Sequence, residues 1–410
     1  MLLLQEGTIH SLQQAMEIGK LSSRELVLYY MDRIARFSSS GPKLNAVLEL
    51  NPDAVYQAEA LDQERRHSGP RGALHGIPVL LKDNIDTWDK LHTSAGSIAL
   101  ADSYATEDAF LVSQLRAAGA IILGKANMTE WANFMTQDMP SGYSSRGGQV
   151  LSPYGPGKFD VGGSSSGSAS AVAADLVTVA VGTETWGSIL SPASSNSIVG
   201  IKPTVGLISR SGIIPISHSQ DTAGPMAKTV EDAAVLLSAM TGWDERDPVT
   251  FTSQGKSYTD YTQFLNPHAL NGARIGVARA YYKRLDADGL EILARSIAAL
   301  QQAGAIIIDP IEIPSESEKM DTAVLVYEFK PALNAYLGRL APHVPIHTLF
   351  ELIEFNKRSP DRMLKYGQTL LEEAEQTSGS LTEPEYVSAR LRDLRLTREQ
   401  GLDYVMAQHR

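Results

Sequence analysis

Gly162-Gly163-Ser164-Ser165-Ser166-Gly167-Ser168-Ala169-Ser170-Ala171-Val172-Ala173-Ala174-Asp175-Leu176-Val177-Thr178-Val179-Ala180-Val181-Gly182-Thr183-Glu184-Thr185-Trp186-Gly187-Ser188 is the stretch around which the rest of the chain is organised. It joins two turns that each carry a serine. The cluster 162–168 opens into a small-residue helix expected over 169–174, and the β-branched run Val177 to Val181 reads as a strand. A second turn follows with Gly182, Thr183, Thr185, Gly187 and Ser188. The strand returns the second turn to the side of the first, so two hydroxyls and several free backbone N–H groups would meet at one point. These are the parts of an oxyanion site.

Composition limits what such a site can serve. The chain has 410 residues, 43% apolar and 20% charged, which places it among folded globular proteins with room for one large core or two modest ones. Lys and Arg number 36 against 47 Asp and Glu, a net charge of −11 that disfavours nucleic acid or an anionic membrane as main partner and leaves small neutral substrates open. With no cysteine, disulfides, thiolate metal sites and cysteine nucleophiles are excluded together, and the cytoplasm is the default location. The start Met1-Leu2-Leu3-Leu4 is interrupted by Gln5 and Glu6, too short for the apolar part of a signal peptide. No run approaches the roughly 18 apolar residues of a membrane helix.

Along the chain, Ser22-Ser23-Arg24-Glu25 is a capping box opening an amphipathic helix through Leu26, Leu28, Tyr29 and Ile34. Residues 46–50 read as a strand and 52–67 as a helix. Ile77-Pro78-Val79-Leu80-Leu81-Lys82 is a buried-type run ending on a lysine, whose ordinary reading is a solvated strand end. Helix 108–118, Gly119 and strand 120–123 form an α/β junction, and helix 290–302, Gly304 and the apolar run 305–308 repeat it, again as a buried strand. The long loop 135–161 is of the kind that is usually functional. Short strands and tight turns are expected over 198–219, a helix over 229–240, and helices over 321–340, 348–356, 362–376 and 383–408. The charged faces of these last helices read as solvated.

Four readings compete for the Gly/Ser run. A flexible linker is the commonest fate of such composition, yet this run lies mid-domain between a long loop and a helix. A phosphate loop requires a lysine that is absent. Gly163 to Gly167 formally matches the G-x-S-x-G nucleophile elbow with Ser165 as nucleophile, but Lys158 to Val161 is a poor strand. The nine histidines converge on no motif; His75 and His218 read as turn histidines. The fourth reading uses no histidine and joins Lys82, Ser164 and Ser188.

Here a resemblance becomes specific. Gly76 to Ile85 resembles the lysine motif of the amidase signature family, Gly162 to Ser168 is similar to its bridging-serine motif, and Gly182 to Ile189, continuing to Gly200-Ile201-Lys202-Pro203-Thr204, resembles its nucleophile segment. The two serines lie 24 positions apart (188 − 164), as in that family. Residues 124–134, 146–149 and 213–226 look most like the peptide amidase branch, whose members remove the C-terminal amide of peptides. The resemblance implies an α/β fold with a central mixed twisted sheet covered by helices on both faces. It implies a Ser-Ser-Lys triad in which neutral Lys82 takes a proton from Ser164, Ser164 takes one from Ser188, and Ser188 attacks the amide carbonyl to form an acyl-enzyme. A cis peptide before Ser164 and oxyanion donors from the backbone of Thr185, Trp186, Gly187 and Ser188 are implied too. So are substrate contacts from Trp131, Asn133, Ser165 and Trp186, with no cofactor and no metal. The chemistry agrees, because a lysine neutral at pH 7 must be shifted by roughly 3 units, or about 4 kcal/mol, and burial behind an apolar strand can supply that.

Two departures stand out. Trp186 stands where most of the family has glycine, and Leu190 replaces a common arginine. Family members also continue past the position of Arg410 with strands that complete the sheet, so the chain is expected to lack these. The sequence divides into an N-terminal helical segment (1–70), a catalytic core (71–245) and an α/β continuation with a helical cap (246–410). The function implied is a serine amidohydrolase acting on small-molecule or short peptide amides. The alternatives are an impaired relative serving as a binding or scaffold protein, and an amidotransferase subunit that works inside a complex.

Overall fold

The computed structural model describes residues 5–409; Met1 to Leu4, the apolar start considered above, lie outside the described residues. The chain parts into two compact units, one of residues 1–262 with 328–379, the other of 263–327 with 380–410.

The first unit begins with α1 (Ile9–Glu17) and α2 (Ser23–Arg33). Ser22 caps α2 through the full capping box with Glu25, and Leu26, Val27 and Tyr30 form its buried side. After β1 (Val47–Leu50) and α3 (Ala54–Ser68) comes β2 (Pro78–Lys82), with all five residues buried. Helix α4 (Phe110–Ala117) crosses to β3 (Ile121–Ala126), and a small hairpin of β4 (Tyr143–Ser144) and β5 (Gly148–Gln149) interrupts the long loop. The opening stretch supplies α5 (Ser166–Ala173) and β6 (Val179–Glu184), followed by α6 (Leu190–Ser195), β7 (Val199–Gly200), β8 (Thr222–Ala227) and α7 (Val230–Met240).

These strands make one six-stranded mixed sheet in the order β1-β3-β2-β6-β8-β7. Strand β2 sits at its centre, parallel to both β3 and β6, while β1, β7 and β8 pair antiparallel. Helices cover both faces, and side chains such as Leu12, Leu26, Leu80, Ile122, Val179 and Leu236 join one continuous core. A parallel centre buried on both faces explains why β2 and β3 read as unbroken apolar runs.

The elements of the opening stretch are shifted from their expected bounds, with β6 starting at Val179 instead of Val177. Helix α5 begins at Ser166, earlier than the expected 169, and β6 extends through Glu184, absorbing Gly182 and Thr183 that read as a turn. Pairing with β8 in the register Gly182↔Gly224 and Glu184↔Thr222 outweighs the weak strand propensity of glycine. A Cβ at Gly182 would lie 2.8 Å from the Ser165 hydroxyl, so this glycine marks close approach and not a chain reversal.

In the second unit β9 (Arg274–Gly276), α8 (Ala287–Gln302) and β10 (Ile306–Ile308) form a two-stranded parallel sheet with its crossover helix. The expectation that 305–308 repeats the buried strand 120–123 is corrected: β10 stays outside the large sheet and Ile306 is 50% exposed. Helix α9 (Ala323–Leu337) is followed in the first unit by α10 (Leu349–Lys357), α11 (Pro360–Met363) and α12 (Thr369–Glu375). The single helix expected over 362–376 is thus two pieces, because Gly367 adopts φ 83° between them. In the second unit α13 (Pro384–Leu394) runs through a π-helical stretch (Arg395–Leu402) into α14 (Asp403–Gln408). No helix of the described residues is long and apolar enough to cross a membrane.

Candidate active site

Lys82 is the last residue of the central strand and is fully buried. Its Nζ lies 2.7 Å from Ser164 Oγ and donates to the Thr183 carbonyl at 3.1 Å. Burial pushes its pKa down from 10.5 to about 7, against the opposing pull of the Glu184 and Asp221 carboxylates. A lysine in that range has a large neutral fraction at pH 7.

Ser164 is fully buried at the end of the Gly/Ser turn, and the Gly163–Ser164 peptide is cis. The Ser165 N–H donates to the Ser188 carbonyl at 3.1 Å, which ties the first serine turn to the second. Ser165 itself bonds the backbone of Thr183 twice, accepting from its N–H at 3.2 Å and donating to its C=O at 3.1 Å. Residues 158–161 form no strand, so the elbow geometry that would present Ser165 is missing.

Ser188 is 7% exposed and lies two residues before α6. The buried Glu184 carboxylate organises this turn, accepting from the N–H groups of Gly187 at 2.9 Å, Ile189 at 2.7 Å and Leu190 at 3.0 Å. Of the four candidate oxyanion amides, that of Gly187 is therefore engaged. No hydrogen bond from the amides of Thr185, Trp186 or Ser188 is seen among the described residues. The Thr185 hydroxyl donates to Asp221, which also accepts from the N–H groups of Ile216 and Ser217, each at 2.9 Å. Desolvation raises Asp221 to about 6. Trp186 is 52% exposed and its φ lies outside the left-handed region, which Gly187 occupies at φ 82°.

A cavity of about 410 Å³ adjoins the second serine turn. Thr183, Glu184 and Thr185 form one wall, Ile213, Ile214, Pro215 and Ile216 an apolar one, and Ala332, Ala335 and Tyr336 of α9 another. Two arginines of its wall are paired with carboxylates of the same wall: Arg210 with Asp247 at 2.6 Å and Arg246 with Glu107 at 2.8 Å. Among the proposed substrate contacts, Trp131 is buried and Asn133 is exposed, and the residue between them, Ala132, lines the cavity. All three are left-handed, with φ of 49°, 54° and 71°. Strain of about 1–3 kcal/mol per residue is kept where the surroundings impose it, commonly beside a functional site.

Sequence reasoning missed Glu184, Asp221 and Asn84. Asn84 donates to Thr183 Oγ1 at 3.0 Å and lines the cavity. Each sits inside a segment quoted above, but among polar neighbours that give no local sign of burial. A second buried lysine, Lys125, binds the Ile85 carbonyl at 2.5 Å and Thr93 Oγ1 at 2.9 Å. Leu81 pairs with Lys125 and Lys82 with Ala126, so alternation puts the two lysines on opposite faces of the sheet.

Known proteins similar to this chain carry related names. A family profile described as Amidase matches residues 25–404. A protein of Arabidopsis thaliana named as an amidase is 43% identical over 387 residues, 92% of this chain and 73% of its own length. The solved peptide amidase of Stenotrophomonas maltophilia is 47% identical, with a TM-score of 0.91 over 98% of this chain and 82% of that one. A peptide amidase solved with the competitive inhibitor chymostatin matches equally well, at 46% identity and a TM-score of 0.91, over 98% of this chain and 82% of that one. A glutamyl-tRNA(Gln) amidotransferase component of Pseudomonas syringae is 40% identical over 306 residues, 74% of this chain and 60% of that protein. By profile, identity and fold together, the chain belongs to the amidase signature family.

Proposed function

We propose that this amidase-family chain is a serine amidohydrolase that cleaves C-terminal peptide amides to acid and ammonia with Ser188 as nucleophile, Ser164 as proton bridge and Lys82 as base. The observation that carries the reading is the fully buried Lys82 amine, 2.7 Å from Ser164 Oγ and titrating near 7. With one N–H on the Thr183 carbonyl, the neutral amine has its lone pair for the Ser164 O–H. Ser164 then accepts the proton of Ser188, and the Ser188 oxygen adds to the amide carbonyl.

Free amides at Thr185, Trp186 and Ser188 are the donors for the oxyanion, each worth roughly 3 kcal/mol in the transition state. As the tetrahedral intermediate collapses, the C–N bond breaks and the proton returns from Lys82 through Ser164 to the nitrogen, releasing ammonia. Water then adds to the acyl-enzyme by the same relay and frees the acid and the Ser188 hydroxyl. The apolar wall Ile213 to Ile216 suits the side chain of an acyl group.

The names of the similar solved enzymes and the peptide-like inhibitor bound by one of them support a peptide amide over a simpler one. An amidotransferase component is the second reading, favoured by the 40% identity to the Pseudomonas syringae protein. Ammonia release from a short peptide amide by the isolated chain tests both, with Ser188→Ala as control. Release that vanishes in Ser188→Ala supports the hydrolase. Glutamine hydrolysis only with added partner proteins would indicate the amidotransferase, and a folded chain inert under both conditions a binding protein.

A further inference from the structure

Glu184 has no part in the proton relay, yet it is buried, bonded into the turn that carries Ser188 and adjacent in the chain to Thr183, a partner of Lys82. Its carboxylate accepts three amide protons from the turn and helix start that carry Ser188. Its own backbone follows directly on Thr183, whose carbonyl receives the Lys82 amine. A neutral group could not serve all three amides as well, since a carboxylate offers two acceptor oxygens and no donor. A carboxamide in its place would aim an N–H at one of them.

We propose that Glu184 is a positioning residue with two separable roles: its shape pins the Ser188 turn, and its negative charge keeps the Lys82 amine protonatable in a site that would otherwise expel the proton. The charge role deepens the catalytic reading above and rests on it; the turn-pinning role does not. The charged groups bearing on Lys82 are Glu184 first and Asp221 second, and both oppose the desolvation that drives its proton off. Asp221 comes from β8's approach and is tied to the same turn through Thr185. Because Asp221 titrates near 6, its contribution is present above that pH and fades below it. A base that lost both charges would take the proton from Ser164 less readily, so the carboxylates set the forward half of the relay, while the return of the proton to the leaving nitrogen does not need them.

Charge and shape come apart in two substitutions. Glu184→Gln keeps the size and removes the charge; Glu184→Asp keeps the charge and shortens the reach. The titration of the Lys82 amine is followed by NMR on chain labelled with 15N at lysine Nζ, with Lys82→Met to assign the resonance. This reading does not depend on turnover. The Lys82 midpoint is expected to fall by about one pH unit, a tenfold weaker hold on the proton, in Glu184→Gln. It is expected to stay near the parent value in Glu184→Asp and to fall by a smaller step in Asp221→Asn. In parallel, the acid limb of the pH–kcat profile for ammonia release should move to lower pH in Glu184→Gln, while Glu184→Asp lowers kcat with its limb unmoved. A Lys82 midpoint that is unchanged or raised in Glu184→Gln overturns the proposal, and so does an equal shift in Glu184→Asp. If Glu184→Gln does not fold, Glu184→Met is titrated in its place, and a Lys82 midpoint that does not fall there overturns the proposal. A parent chain that releases no ammonia would sink the catalytic reading while the titration still answers for Glu184.

Discussion

Lys82 concentrates the energetic cost of this site in one amine. Its folded pKa lies near 7 and its ordinary value at 10.5, so between those values the unfolded chain binds a proton that the native chain has released. Stability contributed through this group therefore rises with pH across that window, and below about 7 the native state carries the whole penalty, of the order of 5 kcal/mol. Lys82→Met should abolish ammonia release and yet raise the melting temperature, more at pH 6 than at pH 10. A larger gain at pH 10 would contradict the assignment. For the parent, kcat is expected to rise with pH through about 7 as the amine becomes neutral. Trp186 belongs to the same scale. Its backbone suits any L residue and its indole is half in solvent, so Trp186→Gly should cost no more than about 1 kcal/mol and redistribute KM across peptide amides with different side chains. A variant that passes from inert to fully active would instead mean that the indole blocks the site.

Helix α5 shows at the scale of an element why the Gly/Ser run is so rich in small residues. Seven of its eight residues are buried, and three serine hydroxyls are bonded inside: Ser166 to the Gly162 carbonyl, Ser168 to that of Val181 and Ser170 to that of Leu151. At Gly167 a Cβ would stand 2.2 Å from the Asn127 carbonyl oxygen and 2.3 Å from that of Ala46. Both are backbone atoms that cannot rotate away. Gly167→Ala is accordingly expected to destabilise the fold by about 3 kcal/mol, seen as a lower urea midpoint at constant slope. A midpoint equal to the parent's would show that the helix can lift from the sheet. The motif spelling made the position of Ser164 legible, but the tightness around Gly167 was not, because Ala46 and Asn127 reach it through the sheet and not along the chain.

For the whole molecule, the contrast between elements within each unit sets an expectation for local stability. Strands β2 and β6 are buried along their full length, while α8 contributes no buried residue and leaves Leu290 and Ile292 exposed. Amide hydrogen exchange should protect β2 and β6 close to the global limit and leave α8 exchanging through a much smaller opening free energy. Equal protection of α8 would show that its apolar side is covered in solution. The net charge of −11 adds that solubility should be lowest near the calculated isoelectric point of 5.4.

By itself the sequence determined the chemistry available and the order of its parts. The apolar run ending at Lys82, the turn at Ser164 and the turn at Ser188 are local patterns, and the family resemblance they carry suggests a base, a bridge and a nucleophile before any packing is known. The capping box at Ser22 is legible for the same reason, since every partner lies within four residues. The tertiary structure decided what depends on atoms distant in the chain. Parallel pairing of β2 with β6 brings Lys82 to Ser164 across 82 residues; the β6–β8 register turns Gly182 to Glu184 from turn into strand. Glu184 and Asp221 acquire their meaning in the same way. A carboxylate's protonation and partners follow from burial and from the amides aimed at it, and neither is written in the residues beside it.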